Sequence, residues 1–94
     1  MGKFPMGQIV LTRDVYEWTA ANGEFAQFVQ SSLKRHARGD WGNLSREDKE
    51  ENETALRQGG LRLFSVYQHH RLPKIWIITE ADRSATTVLF PDDY

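Results

Sequence analysis

Apolar positions along this chain change their spacing more than once. In Gly7-Gln8-Ile9-Val10-Leu11-Thr12-Arg13, β-branched and aliphatic residues follow a start that carries Gly2 and Pro5, which predicts a strand over 7–13. Residues 14–22 keep no clear period, and Tyr16 and Trp18 are expected to cover the core from a loop or short turn. From Glu24 the period becomes helical. Phe25, Phe28, Val29 and Leu33 fall at i, i+3, i+4 and i+8, on one face of a helix. Lys34, Arg35 and His36 crowd its last turn, where the helix dipole favours positive charge, and Gly39 is placed to close it.

Gly39-Asp40-Trp41-Gly42-Asn43 is a turn-rich connection with Trp41 as its large apolar anchor. Ser45 then suits an N-cap, with Glu47 and Asp48 in the first turn, and the second helix is expected to run to Gln58 and stop at Gly59-Gly60. Its apolar face is little more than Ala55 and Leu56, with Asn52 one turn before. Such a helix leans on its cap and its neighbours, so it is expected at the surface as the least stable element. Three strands follow, over 61–68, 74–80 and 86–90, joined by short segments at 69–73 and 81–85 of the length hairpins use. The order β-α-α-β-β-β predicts a single α+β domain over 1–94, with two helices packed on one face of an antiparallel sheet.

The chain has 94 residues, room for one core, and its five Phe, three Trp and three Tyr must supply much of it. Without cysteine there is no disulfide, thiolate zinc site or thiol nucleophile, which fits a reducing cytosol. No apolar run approaches the roughly 18 residues needed to span a bilayer, so the expected setting is the cytoplasm with no membrane partner. Twelve Lys plus Arg against thirteen Asp plus Glu leave a formal charge of −1 and no global field for a phosphate backbone. The charges are nevertheless segregated. Lys34, Arg35, His36 and Arg38 form a basic cluster, and Glu47, Asp48, Glu50, Glu51 and Glu53 an acidic one relieved only by Arg46 and Lys49. Two solvated helix ends account for this, and two opposed binding faces are the functional alternative.

Candidate chemistry is sparse. Glu80, Asp82 and Arg83 sit at the last hairpin, where an Arg held by a carboxylate would present a donor fork to a phosphate or a carboxylate. In the structural account Asp82 caps the turn and Arg83 closes a surface ion pair worth at most about 1 kcal/mol. His69 and His70 are adjacent with no well-spaced third ligand, so no metal site is expected. Asp40, Glu47, Asp48 and Glu51 are readable as paired carboxylates, but acidic residues at a helix start are explained by the cap and the dipole. Trp76, inside a strand, is expected in the core and Trp41 over the second helix; exposed, either would be a binding hot spot. There is no Walker A, G-x-G-x-x-G, G-x-S-x-G or H-E-x-x-H pattern, so neither a cofactor nor nucleotide-driven or hydrolytic chemistry is expected.

Gly39-Asp40-Trp41-Gly42, Glu47-Asp48, Asn52, Gly59-Gly60, Tyr67, the run Trp76-Ile77-Ile78-Thr79-Glu80-Ala81-Asp82-Arg83-Ser84, Thr86-Thr87-Val88-Leu89 and Tyr94 together resemble a family of small bacterial proteins carried on plasmids and integrative elements, labelled plasmid-related proteins. The resemblance covers residues 36–94 and implies a mobile-element setting, not an activity. The element order is also similar to that of RelE/ParE-like toxins, whose ribonuclease members act on RNA with Arg, Lys, Tyr or His side chains on the sheet. Residues of suitable type here are Arg62, Tyr67, Arg83 and Tyr94, although those ribonucleases are strongly basic and this chain is not. The leading expectation is a non-enzymatic module that binds a protein partner through Asp40, Trp41, Glu47, Asp48, Glu50, Glu51, Glu80, Asp82 and Arg83. An RNA- or gyrase-directed toxin and a self-associating structural protein are the alternatives.

Overall fold

In the computed structural model, which describes residues 2–94, the first strand covers Gln8–Leu11 (β1) and lies at a sheet edge. Helices Arg13–Ala21 (α1), Gly23–Ala37 (α2) and Arg46–Gln58 (α3) follow, then strands Leu63–His69 (β2), Leu72–Thr79 (β3) and Ala85–Leu89 (β4), and a 3₁₀ turn at Pro91–Asp93. The sheet order is β1-β4-β3-β2. β2, β3 and β4 form an antiparallel meander, while β1 runs parallel to β4, with Ile9 opposite Thr86 and Leu11 opposite Val88. The domain is α+β as expected, but the sheet is mixed and the helices number three among the described residues.

Side chains alternate across each strand, and this divides the sheet into two faces. Tyr67, Ile75, Ile77 and Val88 point toward α1 and α2 and form the core with Val15, Phe25 and Val29. A second cluster, Trp41, Ala55 and Leu63 with Phe4, Leu44 and Leu56 packed against it, ties α3 to the outer flank of β2. Phe64, Trp76 and Ile78 point the other way, to a face that no helix covers.

α1 was expected to be a loop or turn. It forms because Thr12 caps it, its hydroxyl accepting from the Val15 N–H, and because Val15 is buried against the core. Tyr16 lies on the solvent side while Trp18 packs on Phe25 and Phe90, so apolar residues on two sides of a short helix blur its period. α3 matches its prediction: the Ser45 hydroxyl accepts from the Asp48 N–H at 3.1 Å, and the helix stops at Gly59 with φ +72°. The connection between β2 and β3 is shorter than predicted, a two-residue turn at His70 and Arg71 with an irregularity between Tyr67 and His69.

The outer edge of β2 is closed without another strand. Asn52 of α3 acts as a strand surrogate, its Nδ2 donating to the Phe64 carbonyl (2.6 Å) while its Oδ1 accepts from the Phe64 N–H (3.1 Å). Two residues on, the Asn43 N–H donates to the Val66 carbonyl (2.7 Å) and the Val66 N–H to the Trp41 carbonyl (3.3 Å). Gly42 makes that approach feasible. Its φ is +73°, and a Cβ there would overlap the Val66 carbonyl oxygen and crowd the Tyr67 ring at 2.8 Å.

Candidate functional site

Capped by Ser45, α3 buries Asn52 and Ala55 and turns Glu47, Asp48, Glu50 and Glu51 to solvent. Among the described residues none of these four carboxylates is held in an ion pair. Leu61, 51% exposed just after the helix, adjoins Glu47, Glu50 and Glu51 along a shallow depression. A second depression lined by Asp48, Glu51, Leu61, Arg62 and Phe64 carries the surface round the edge of β2 onto the uncovered face of the sheet. There Arg62, Phe64, Trp76, Ile78 and Tyr94 line a hollow of ≈ 390 Å³.

The rings in that hollow brace one another. Trp76 packs edge-on against Phe64 at 5.2 Å and against Tyr94 at 5.7 Å. The Arg62 guanidinium lies 5.7 Å from the Tyr94 ring centre and donates to its hydroxyl at 3.3 Å, although Tyr94 is 71% exposed. Aromatic side chains fixed by their neighbours but open to solvent can enter an interface with little further loss of freedom. The surface therefore combines an apolar centre, the Arg62 cation at its rim, and four carboxylates outside any ion pair on a helix that also exposes Arg46 and Lys49.

The predicted site residues divide sharply. Glu47, Asp48, Glu50 and Glu51 lie on this surface. Trp41 does not: it is 3% exposed, packs against α3, and donates from Nε1 to Glu53 Oε2 at 2.8 Å. Asp40 is taken by Arg35, which grips it from Nε at 2.7 Å and Nη2 at 3.2 Å, and that hydrogen bond first of all holds the carboxyl below its usual range. Glu80 is exposed in the β3–β4 turn, and the Asp82 carboxylate accepts from the Ser84 N–H at 2.9 Å, as a turn cap would. Arg83 makes no ion pair among the described residues. It sits at φ +62° and donates to the carbonyls of Leu61 (2.7 Å), Glu80 and Ala81 (both 3.1 Å) and Ala55 (3.4 Å). Its guanidinium is a clasp between the β3–β4 turn and the end of α3, with Nη1 turned to three main-chain carbonyls and Nη2 to a fourth.

Of the four residues matched to the toxin pattern, the structure brings only Arg62 and Tyr94 together. Tyr67 is fully buried on the opposite face, where its hydroxyl donates to the Asp40 carbonyl at 2.6 Å and burial pushes its phenol up to about 12. Trp76, expected in the core, lies half-buried on the open face. Phe64 and Leu61 carried no signal as site residues. Phe64 lies two places from Arg62 and Val66, and the strand period, once its register against Ile78 is known, puts it beside Trp76.

His36, counted in the basic cluster, is fully buried. Its Nδ1 lies 2.5 Å from Ser65 Oγ and its Nε2 2.9 Å from Thr79 Oγ1, which lies 2.7 Å from Thr86 Oγ1. The Thr86 hydroxyl donates to the Met6 carbonyl at 2.6 Å. A carbonyl only accepts, so the chain runs one way: Ser65 donates to Nδ1, and Nε2–H to Thr79, Thr79 to Thr86, Thr86 to Met6. Phe4 and Trp41 close over the ring at 5.4 and 5.6 Å, which leaves no access for a substrate. His69 and His70 stack on each other at 4.7 Å, and among the described residues no three His, Cys, Asp or Glu side chains gather as a metal-binding group. No described helix is long and apolar enough to cross a membrane. Comparison with known proteins finds no matching family model, no matching curated sequence and no matching solved structure.

Proposed function

We propose that this protein works by docking a partner protein on the surface that runs from α3 onto the open sheet face. What carries the reading is the continuity of four unpaired carboxylates, Glu47, Asp48, Glu50 and Glu51, through Leu61 and Arg62 into the ring cluster of Phe64, Trp76 and Tyr94. An interface needs an apolar anchor surrounded by groups that fix register, and both are present on adjoining elements. The complementary partner face carries Lys or Arg opposite α3 and an apolar side chain for the 390 Å³ hollow. The resemblance to plasmid-related proteins supports looking for that partner in a bacterium that carries such an element.

The toxin reading is weaker. Arg62 and Tyr94 adjoin each other, but the carboxylates of α3 stand beside them and would repel a phosphate backbone, and the Tyr67 and Arg83 side chains are engaged elsewhere.

Quantitative capture from a plasmid-bearing bacterial host tests the reading, with three baits: the native protein, Glu47→Lys with Glu50→Lys and Glu51→Lys, and Trp76→Ala with Tyr94→Ala. The expected result is a partner retained by the native bait and reduced at least tenfold on each variant, with binding that weakens as salt is raised. Partners retained equally by all three baits would remove the proposal.

A further inference from the structure

The two edges of the sheet are treated differently. β2 is sealed by Asn52 and by the segment 41–43, whereas β1 is left bare. The Gln8 N–H donates to the Ser84 carbonyl at 3.0 Å and the Thr12 N–H to the Val88 carbonyl at 3.1 Å, so even-numbered residues face β4. Amide direction alternates along a strand, and the N–H and C=O groups of Ile9 and Leu11 therefore point out of the sheet. Among the described residues no other element reaches these four groups. Ile9 and Val10 are 46% and 37% exposed. Gln8-Ile9-Val10-Leu11 is short, but it has no lysine, no proline and no charge of either sign, side-chain devices that protein edges use to discourage pairing.

The geometry points to a homodimer in which two β1 strands pair antiparallel about a two-fold axis through Val10. Ile9 exchanges both main-chain hydrogen bonds with Leu11 of the second copy, and Leu11 exchanges both with Ile9 of the second copy. Val10 faces its own symmetry mate as the non-hydrogen-bonded pair, where side chains approach most closely. A second copy is the fitting occupant because the strand is its own complement. The outward groups at 9 and 11 flank one central residue, so the self-pairing is in register, apolar meets apolar, and no like charges oppose. Such contacts are isologous, the commonest form of protein self-association. The two four-stranded sheets become one continuous sheet, and all four outward groups are satisfied. A strand of four residues presents less than the ~1,200 Å² of a standard stable interface, so the dimer dissociates on dilution. The inference is independent of the partner-binding reading, which concerns the far flank of the sheet.

Sedimentation velocity over a wide dilution series, with amide exchange in parallel, tests it on the intact protein. The expected result is a mass that rises from one chain to two with concentration, with exchange at Ile9 and Leu11 slowing together. Ile9→Pro deletes an outward N–H and leaves the bonds to β4 intact, so it should remain monomeric with unchanged circular dichroism. Val10→Glu and Val10→Lys place like charges across the axis. Each should be monomeric alone, and their mixture should recover the dimer, which holds the test open should the proline variant fail to fold. A native protein that stays monomeric at the highest concentration attainable overturns the proposal. So does a dimer that survives in Val10→Glu and Val10→Lys alone, since another surface would then be pairing.

Discussion

A neutral imidazole in the middle of a hydrogen-bond chain makes this fold sensitive to acid. Burial pushes His36 down from its ordinary 6.5 to about 4. Between those values the unfolded chain binds a proton that the folded chain refuses, so this contribution is complete above about pH 6.5 and is lost as pH falls toward 4. A difference of that size amounts to about 3 kcal/mol. Asp40, Asp82 and Asp93, all held below their usual value of 3.8, contribute stability that is lost only at lower pH. Denaturant unfolding at pH 7 and at pH 4.5 should therefore show a large drop for the native protein. His36→Gln should be less stable at pH 7, yet should lose markedly less between the two pH values; an unchanged pH slope in that variant would locate the acid sensitivity elsewhere.

Among the elements, α3 depends most on single side chains. Its composition is strongly polar, and beside the small cluster around Trp41, Ala55 and Leu63 it is held to the rest of the fold by Asn52 at one point and the Arg83 clasp at another. Asn52→Ala leaves the Phe64 N–H and C=O without partners and should cost about 2 kcal/mol, with aggregation following as the edge of β2 opens. Light scattering during thermal unfolding would register both effects. Arg83→Ala frees the Leu61 carbonyl, while the Ala55 carbonyl keeps the Gly59 N–H, and should lower stability by about 1 kcal/mol in chemical unfolding while leaving the rings at Trp76 undisturbed. α3 was readable because its signals are local: Ser45 to start it, Gly59 to stop it, and a thin apolar stripe between. α1 was not, because its cap is a threonine at the end of a strand and its few apolar residues face both ways. The open face was hidden for a different reason. In Ile75-Trp76-Ile77-Ile78 apolar residues run without alternation, as in a strand buried on both sides, and only the placement of the helices shows that one side is bare. The inward turn of Trp41 and Arg83 follows from contacts between distant segments, which spacing does not encode.

At the scale of the whole molecule, near-zero net charge conceals an uneven distribution. The acid bank of α3 lies beside the ring cluster, while Arg35 is spent on Asp40 and Arg71 on Glu24. Ionic strength should accordingly act on recognition more than on folding, since the exposed pairs contribute at most about 1 kcal/mol each. Sheet order has a further effect. β2, β3 and β4 adjoin in sequence and zip as neighbours, but β1 finds its partner in the strand made last. Closing that ladder means bringing residues 8–11 to residues 85–88, the longest loop among the strand pairings and so the most costly. During synthesis β1 has no partner in this sheet until β4 has left the ribosome, so of the four strands the first to be made is the last to pair.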